Sequence, residues 1–417
     1  MANPWLVGVD VHLTQNRICL MDRQGHELGR RFTVANNGPG TQSFVTRLVQ
    51  VLQPGPFDSL ALAAEATGWY WFHLFQALST EAALQPWPHR LYALNPRLPA
   101  KYKEVYSDLD KTDDSDAFVI ADRLRMGRDL PPPFQLQPTH LALRFLTRYR
   151  YHLVQDLVRE KNYCTNLVYL KASEYRTEHP FTDVFGASSQ LVLHDFVSPE
   201  QIVTMPLEEL AALLDTAGRG QFADPTQTAR ELQHVATTSY RLPDSLLPPV
   251  NTVLAWNLEH IRFLTRQEKR INHAIAEQLT ALPNTLQTIP GFGLVFAAGI
   301  IAEIGDLARY QYDEAKVAKA AGLKWSKQQS GSFEAEDTHL SKAGNRYLRY
   351  YFCEAANTVR MHDAEYQAYY QRKHDEVRKH QHKRAIALTA RKLVRLVVRL
   401  LTTNQPYQPR KPDRTAS

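Results

Sequence analysis

The sequence predicts a mixed α/β domain at the N-terminus, followed by a mainly α-helical remainder. Three short β-rich runs open the chain: WLVGVDVH, RICLMD and the end of QGHELGRRFTV. Helical and strand patterns then alternate as far as HRLYALNP. Beyond a Pro-rich segment, two long stretches repeat apolar residues every three or four positions, which is typical of amphipathic helices.

The elements of the first domain follow in a recognisable order. TQSFVTRLVQVL has helical spacing, with Phe44, Leu48, Val51 and Leu52 on one face. DSLALAAE is a fourth strand, GWYWFHLFQAL a helix, and HRLYALNP a fifth strand. Three strands, a helix, then strand, helix and strand is the order of an RNase H-like (RuvC-like) fold, which we assign to residues 1–130. Fold alone does not give function.

The remainder is predicted to contain two further regions and a tail. DLPPPFQLQPTH marks the first boundary, near residue 130. Residues 138–280 form a helical or coiled-coil region of two long helices, interrupted by a less periodic insertion at about 173–250. The long helices either pair as a hairpin or form a dimerisation arm. Residues 281–405 form a C-terminal domain, and 406–417 a disordered tail.

Composition excludes several classes of protein. With 44% hydrophobic and 22% charged residues, the chain is typical of globular rather than disordered proteins. Cys19, Cys164 and Cys353 show no CxxC spacing, which argues against a disulfide framework or a zinc site. The N-terminus lacks a signal-peptide pattern, and LVFAAGIIAEIG is too short to span a bilayer. We therefore expect no membrane association and a cytoplasmic protein.

Positive charge is concentrated near the C-terminus. The net charge is +6, and between Arg372 and Arg399 ten Lys or Arg residues face two acids. Such a tract on a nearly neutral chain favours a polyanionic partner, most often nucleic acid. A solvated basic helix face is the alternative.

Four carboxylates occupy positions that an RNase H-like fold brings together. Asp10 interrupts the first strand, and Glu65 ends the fourth, which lies beside the first in this fold. Asp113 and Asp116 stand three apart at a helix start and share a face. Each could simply be a solvated strand end or a helix cap. Because four converging carboxylates repel one another without cations, we predict a two-metal site for Mg²⁺ (or Mn²⁺).

The chain resembles the IS110 family of transposases, including its IS1111 group. The N-terminal resemblance is carried by GVDVH, EATGWY, ALNPRLPAKYKE and KTDDSDA. The C-terminal resemblance is carried by TIPGFGLVFAAGIIAEIGD, AAGLKWSKQQSGS and HLSKAGNRYLRYYFCEAA. The two halves occur in order and leave roughly residues 173–250 without support.

The resemblance implies a DEDD site and a catalytic serine. The DEDD residues fall on Asp10, Glu65, Asp113 and Asp116, in agreement with the choice from the residues alone. The nucleophilic serine, which would form a phosphoserine link to DNA, falls on Ser330 of the Ser-Gly motif. Ser326 and Ser332 are close rivals, and Trp325 stands where the family commonly has Pro. A serine hydroxyl needs activation, which the DEDD site would provide if the two domains close together.

Basic residues of the C-terminal part are candidates for nucleic-acid binding, either at a scissile phosphate or along the phosphate backbone. The alternative for each is an ordinary solvated or packed helix. The candidates are Lys342, Asn345, Arg346, Arg349, Arg391, Lys392 and Arg395.

The resulting interpretation is a DNA transposase, or site-specific recombinase, of an insertion sequence. The resemblance further implies donor and target DNA as substrates, a structured non-coding guide (bridge) RNA as partner, and homodimers that assemble into a tetramer. One alternative is a RuvC-like, metal-dependent junction nuclease that uses water. Another is a non-catalytic nucleic-acid-binding protein, which would tolerate loss of Asp10 or Glu65.

Overall fold

The computed structural model describes most of the 417 residues. The described ranges are 4–52, 58–106, 113–128, 130–195, 198–220, 222–325, 329–330, 333–334, 340–341 and 343–409. The chain divides into two compact units. Unit 1 comprises residues 1–138 and 308–311, and unit 2 comprises residues 139–307 and 312–417. The division lies inside the Pro-rich segment DLPPPFQLQPTH.

Unit 1 is built on a five-stranded sheet in the order β3-β2-β1-β4-β5. Strands β1, β2 and β3 are antiparallel neighbours, whereas β4 and β5 run parallel to β1. This order confirms the predicted RNase H-like fold. The elements are β1 (Pro4–Val11), β2 (Gln15–Met21), β3 (Phe32–Ala35), α1 (Gly38–Leu52), β4 (Ser59–Glu65), α2 (Phe72–Thr80), β5 (His89–Leu94), α3 (Arg97–Lys103) and α4 (Asp113–Met126).

Helices cover both faces of the sheet. Helices α1 and α2 pack on the face formed by the odd-numbered residues of β1, such as Val7 and Val9. Helix α4 packs on the opposite face, against Leu6 and its neighbours. Phe44 and Leu48 of α1 are buried as the spacing predicts, but Val51 in the last turn is 36% exposed. The side chain of Leu52 lies outside the described residues.

Residue 8 of β1 must lack a side chain because α4 lies directly on it. A Cβ atom on Gly8 would stand 2.1 Å from the Ala117 carbonyl oxygen and 2.5 Å from the Ala121 nitrogen. The small side chains of Ala117 and Ala121 are fully buried at this contact. The approach places the backbone of α4 almost in contact with the backbone of β1, two residues from Asp10.

Unit 2 is almost entirely helical where it is described. Its helices are α5 (Pro138–Lys171), α6 (Ala187–Asp195), α7 (Pro199–Thr204), α8 (Leu207–Gly218), α9 (Pro225–Thr238), α10 (Leu247–Leu279), α11 (Leu294–Ile304), α12 (Glu314–Ala320), α13 (Arg346–His362), α14 (Ala364–Asp375) and α15 (Gln381–Thr403). Its strands are β6 (Gln329–Ser330) and β7 (Phe333–Glu334). Short 3-10 turns occur in unit 2 at Ser173–Arg176 and Leu286–Thr288, in unit 1 at Ala82–Leu84, and at the boundary between the units at Leu307–Tyr310.

The two long helices, α5 and α10, pair as an antiparallel hairpin, one of the two predicted arrangements. Glu160 of α5 accepts a hydrogen bond of 2.7 Å from Asn257, whereas Arg150 pairs with Glu268 at 2.8 Å. The predicted insertion at 173–250 folds as α6 to α9 and shares one apolar core with both long helices. It therefore completes the packing of the hairpin.

The C-terminal helices pack into the same unit as the long hairpin. The Tyr351 hydroxyl of α13 donates a 2.6 Å hydrogen bond to the Thr147 carbonyl of α5. Inside the predicted disordered tail, the Tyr407 hydroxyl donates to Asp363 at 2.6 Å and its backbone nitrogen to Thr288 at 2.8 Å. The tail is therefore anchored at Tyr407, and its last eight residues, 410–417, lie outside the described ones. Among the described residues, no helix is long and apolar enough to cross a membrane.

The contact at Gly8 yields a stability prediction. Gly8→Ala forces α4 away from β1, and we expect unit 1 to lose about 1–3 kcal/mol or more of unfolding free energy. Urea unfolding followed by circular dichroism measures the loss. Gly38→Ala is the matched control, since a Cβ atom there meets nothing within 4 Å. Equal unfolding midpoints for Gly8→Ala and the wild type would contradict the close packing.

Candidate active site

Asp10 and Glu65 lie side by side at the C-terminal edge of two parallel strands. The register pairs Val9 with Ala64, so Asp10 and Glu65 occupy the next position on β1 and β4. Side chains alternate along a strand, and Leu6 of β1 and Ala63 of β4 both belong to the core under α4. Asp10 and Glu65 therefore belong to the sheet face that α4 covers.

Each of these two carboxylates has a local hydrogen-bond partner. The Asp10 side chain is 11% exposed, and its Oδ2 lies 3.0 Å from Nε2 of His12. The Thr67 hydroxyl donates a 2.6 Å hydrogen bond to Oε1 of Glu65. His12 and Thr67 follow their strands by one or two residues, so the turns that leave the sheet edge also orient its acids.

Helix α4 begins at the same edge of the sheet. A Cβ atom on Gly25 would lie 3.3 Å from Nε of Arg125, which places the last turn of α4 beside the turn that follows β2. That turn is at the opposite end of β1 from Asp10, because Met21 pairs with Leu6. Helix α4 therefore runs antiparallel to β1, and its first turn, which contains Asp113 and Asp116, lies at the end of the sheet where Asp10 and Glu65 stand.

Asp116 is held by a lysine that the sequence analysis did not single out. Nζ of Lys103, on α3, donates to Oδ1 of Asp116 at 2.6 Å and to the Ser115 hydroxyl at 3.3 Å. The Asp116 side chain is 40% exposed. Lys103 lies in the segment ALNPRLPAKYKE, which carries part of the family resemblance. Residue spacing could not predict that this lysine pairs with Asp116, because the two residues lie on different helices. The side chain of Asp113 lies outside the described residues.

A second cluster fixes α3 against α4. Asp122 is buried and accepts hydrogen bonds from the hydroxyls of Tyr102 and Tyr106 and from Nε of Arg125. Burial alone would raise the pKa of Asp122, but these three donors hold it below its usual value. Asp122 therefore stays ionised, and its bond to Tyr102 ties α3, the helix that carries Lys103, to α4.

The oxygen atoms at this edge are of the type that binds divalent cations. Asp10, Glu65 and Asp116 supply carboxylate oxygens, which Mg²⁺ and Mn²⁺ prefer as ligands. Within the described part of the chain, no group of three His, Cys, Asp or Glu side chains lies close enough to hold an ion. The described carboxylates alone thus do not close a site, and Asp116 is paired with Lys103 instead.

Ser330 lies at the tip of a small hairpin in unit 2. Its backbone pairs with Phe333 across residues 331–332, and Gln329 pairs with Glu334. Farther down, Trp325 pairs with Leu340 in an antiparallel bridge. The side chain of Ser330 and the rivals Ser326 and Ser332 lie outside the described residues. The predicted nucleophile therefore belongs to a short β-hairpin rather than to a helix.

A buried ionic network joins α5, α11 and the start of α13, the helix that follows the hairpin in the sequence. The Glu303 side chain of α11 is fully buried and accepts hydrogen bonds from Nε and Nη2 of Arg148 at 2.6 and 2.8 Å. It also accepts one from Nδ2 of Asn345. Burial alone would lower the pKa of Arg148, but Glu303 raises it. Asn345 in turn caps α13, because its Oδ1 accepts from the backbone nitrogens of Tyr347 and Leu348.

The basic candidates fall into three groups. Lys342 lies outside the described residues, and Asn345 is the helix cap just described. Arg346 is exposed and stacks over the Tyr347 ring at 4.8 Å, and Arg349 donates to the Ala321 carbonyl at 3.3 Å.

The third group lies on α15 and is already paired with acids. Arg391 and Arg395 share Glu314 at 2.9 and 3.3 Å. Lys392 pairs with Glu365 at 2.8 Å. Contact of these three residues with a phosphate would therefore compete with existing ion pairs.

Two protein-family models match the chain. One, described as Transposase and named for the DEDD transposases of IS110, matches residues 7–170. The other, described as Transposase IS116/IS110/IS902 family, matches residues 284–371. The two models together cover more than half of the chain. The first range includes the four candidate carboxylates, and the second includes Ser330.

Individual proteins are similar over most of the chain. A 44.8 kDa uncharacterized protein of insertion element IS116 from Streptomyces clavuligerus is 28% identical over 312 residues, covering 74% of this chain and 75% of that protein. A 42 kDa uncharacterized protein of IS900 from Mycobacterium paratuberculosis is 26% identical over 309 residues, covering 73% and 74%.

Among solved structures, T. thermophilus RuvC in complex with a Holliday junction substrate is similar to part of the chain. The match covers 32% of this chain and 100% of the RuvC chain, at 14% sequence identity and a TM-score of 0.23. The fold assignment rests on the strand order described above.

The buried network at Glu303 yields a stability prediction for unit 2. Glu303→Gln leaves the partly buried guanidinium of Arg148, whose side chain is 33% exposed, without its counter-charge. We expect a loss of about 3 kcal/mol in urea unfolding, the lower end of the cost of breaking a buried ion pair. Glu314→Gln is the matched control, because Glu314 also pairs with two arginines but is 30% exposed. It should cost no more than about 1 kcal/mol. Similar losses of unfolding free energy for the two variants would show that the buried network at Glu303 contributes no more than a partly exposed ion pair.

Proposed function

The chain belongs to the IS110 family of transposases, and on this premise we propose that it cuts and rejoins DNA through a phosphoserine intermediate at Ser330. The observation that carries the proposal is the placement of Asp10 and Glu65 side by side under the first turn of α4. A carboxylate pair at this edge, next to a helix that begins with Asp113 and Asp116, is suited to phosphodiester chemistry.

The proposed reaction is a pair of transesterifications. The Ser330 hydroxyl oxygen forms a bond to a scissile phosphorus, and the bond from that phosphorus to one deoxyribose oxygen breaks. The released strand end takes a proton as a free hydroxyl, while the serine proton passes to a base at the site. Attack by a hydroxyl of another strand reverses these steps and frees the serine. Since the number of phosphate ester bonds is constant, no nucleotide cofactor is required.

The four carboxylates would hold Mg²⁺ or Mn²⁺. When bound, the cation would polarise the scissile phosphate and favour the deprotonated form of the attacking hydroxyl. Lys103 would neutralise the charge of Asp116 whenever that carboxylate does not bind a cation. His12 orients Asp10 through its ring nitrogen.

The proposed partners are donor DNA, target DNA and a structured guide RNA. Base pairing with the RNA would select the sequences, so the protein would contact mainly the backbone. The exposed Arg346 in the first turn of α13, the helix that follows Ser330 in the sequence, supports a phosphate contact by unit 2. Synapsis of two DNA molecules would require homodimers that join into a tetramer, in which carboxylates and serine act together.

A water-using nuclease is the second candidate function. It is favoured by one observation: Ser330 lies in unit 2 and the carboxylates lie in unit 1. The carboxylate edge could therefore direct water at a phosphate without any contribution from Ser330.

Glu65→Gln tests the carboxylate site. We expect cleavage of DNA that carries the element's ends to fall by more than the roughly 10- to 100-fold that loss of an outer-shell partner costs. Binding to the same DNA, measured by fluorescence anisotropy, should change little because the neutral amide keeps the shape. Glu104→Gln, at an exposed position after α3, is the control. Cleavage by Glu65→Gln at the wild-type rate would remove Glu65 from the site.

Ser330→Ala tests the covalent link. Protein, Mg²⁺, flanking-region RNA and DNA with the element's ends are incubated and separated on a denaturing gel. We expect a DNA-linked protein band that is absent in Ser330→Ala and present in Ser326→Ala and Ser332→Ala. Free cleaved DNA without a linked band, unchanged in Ser330→Ala, would establish the water-using nuclease. Loss of the band only in one of the other variants would reassign the nucleophile.

A further inference from the structure

A cavity of about 650 Å³ opens in unit 1 between the first turns of α1 and α2. Its walls include Leu13, from the turn after β1, and Trp69 and Tyr70, from the turn after β4. Thr41 of α1 and His73 of α2 complete the part of the lining that the argument uses. A volume of this size is within the range of small-molecule binding sites.

The cavity lies at the same edge of the sheet as the candidate carboxylates. Leu13 follows Asp10 by three residues, and Trp69 follows Glu65 by four. Asn36 joins the two turns, because its Nδ2 donates to the His12 carbonyl at 2.8 Å and to the Tyr70 carbonyl at 3.2 Å. The carboxylates are on the α4 face of this edge, and the cavity is on the face covered by α1 and α2.

The lining is aromatic and neutral. Trp69 and Tyr70 are 42% and 43% exposed. The Trp69 ring lies nearly parallel to the Trp71 ring, at 15°, and edge-on to Phe72, so its orientation is fixed before any ligand arrives. Among the described residues that line the cavity, none is Lys, Arg, Asp or Glu. Asn36, Asn37 and Gln42 also line the cavity, and their amides are held by hydrogen bonds within the protein.

This lining favours a flat aromatic or heteroaromatic group. A phosphate would find no Lys or Arg among the described lining residues. Nucleobases stack on exposed tryptophan and tyrosine rings whatever their sequence. An unpaired base presents such a face, whereas a base inside a duplex is already stacked on its neighbours.

We propose that this cavity receives one unpaired nucleobase of the DNA strand whose phosphate is cut at the Asp10 and Glu65 edge. This inference rests on the proposed function for the position of the strand. The stacked base would fix which phosphate of the DNA strand reaches the carboxylates. The edge of the β-sheet would lie between the base and the scissile phosphate. Trp69 and Tyr70 are thereby assigned as substrate-binding residues.

The test measures binding rather than catalysis. Full-length protein is titrated with a fluorescein-labelled single-stranded DNA oligonucleotide of mixed sequence, with the duplex form, and with RNA of the same sequence. Parallel titrations use DNA with 2-aminopurine at successive positions, because stacking on an aromatic ring quenches its fluorescence. The variants are Trp69→Leu, Trp69→Phe and Tyr70→Leu. Tyr240→Leu, at a 78% exposed tyrosine of unit 2, is the control, and thermal unfolding verifies that each variant is folded.

Trp69→Leu and Tyr70→Leu should each weaken single-stranded DNA binding by about 5- to 150-fold, the range for loss of one stacked base. Trp69→Phe should retain most of the affinity, and Tyr240→Leu all of it. Quenching of 2-aminopurine at one position should disappear in Trp69→Leu. Unchanged affinity and quenching in folded Trp69→Leu would overturn the proposal, and tighter binding of RNA than of DNA would overturn the assignment to a DNA strand.

This test can fail independently of the proposed function. Loss of DNA binding in Trp69→Leu, without any serine-linked band in the denaturing gel, would leave the cavity assigned and the recombinase mechanism refuted. A serine-linked band with unchanged binding in Trp69→Leu would do the reverse.

Discussion

Helix α4 approaches strand β1 so closely that residue 8 has no room for a side chain. This contact determines the geometry of unit 1 around the candidate site. It brings the backbone that follows Asp113 and Asp116 onto the strand that carries Asp10, and β4 places Glu65 alongside. A larger residue at position 8 would separate the carboxylates even if all four remained in the sequence. The chemistry proposed for this edge thus depends on a van der Waals contact between two backbones.

Unit 2 has its own determining interaction, a fully buried glutamate. Glu303 gathers Arg148 from the long helix α5 and Asn345 from the start of α13. Because a buried charge must be matched by donors, these elements can pack only in an arrangement that brings the donors together. Asn345 is also the residue at which the segment that follows Ser330 becomes helical. The same network that stabilises the unit therefore fixes the start of α13, the first helix after the proposed nucleophile.

The two units carry different groups for the proposed reaction. The sheet edge has carboxylates on one face and a neutral aromatic cavity on the other, whereas the helical unit carries the proposed serine on a short hairpin. Charged and neutral surfaces at one edge suit the two parts of a nucleotide, its phosphate and its base. The insertion at 173–250 completes the core around α5 and α10, so its presence has a structural reason.

Much of the framework followed from the sequence alone. Alternating strands, the helix between them and the placement of Asp10 and Glu65 were predictable because strand periodicity and parallel strand ends are local rules. The tertiary structure decided the rest. The pairing of Lys103 with Asp116 and of Glu303 with Arg148, 155 positions away in the chain, depends on which helices touch. Spacing along one element cannot encode the partner of a buried charge, since that partner comes from a different element whose distance is set by packing.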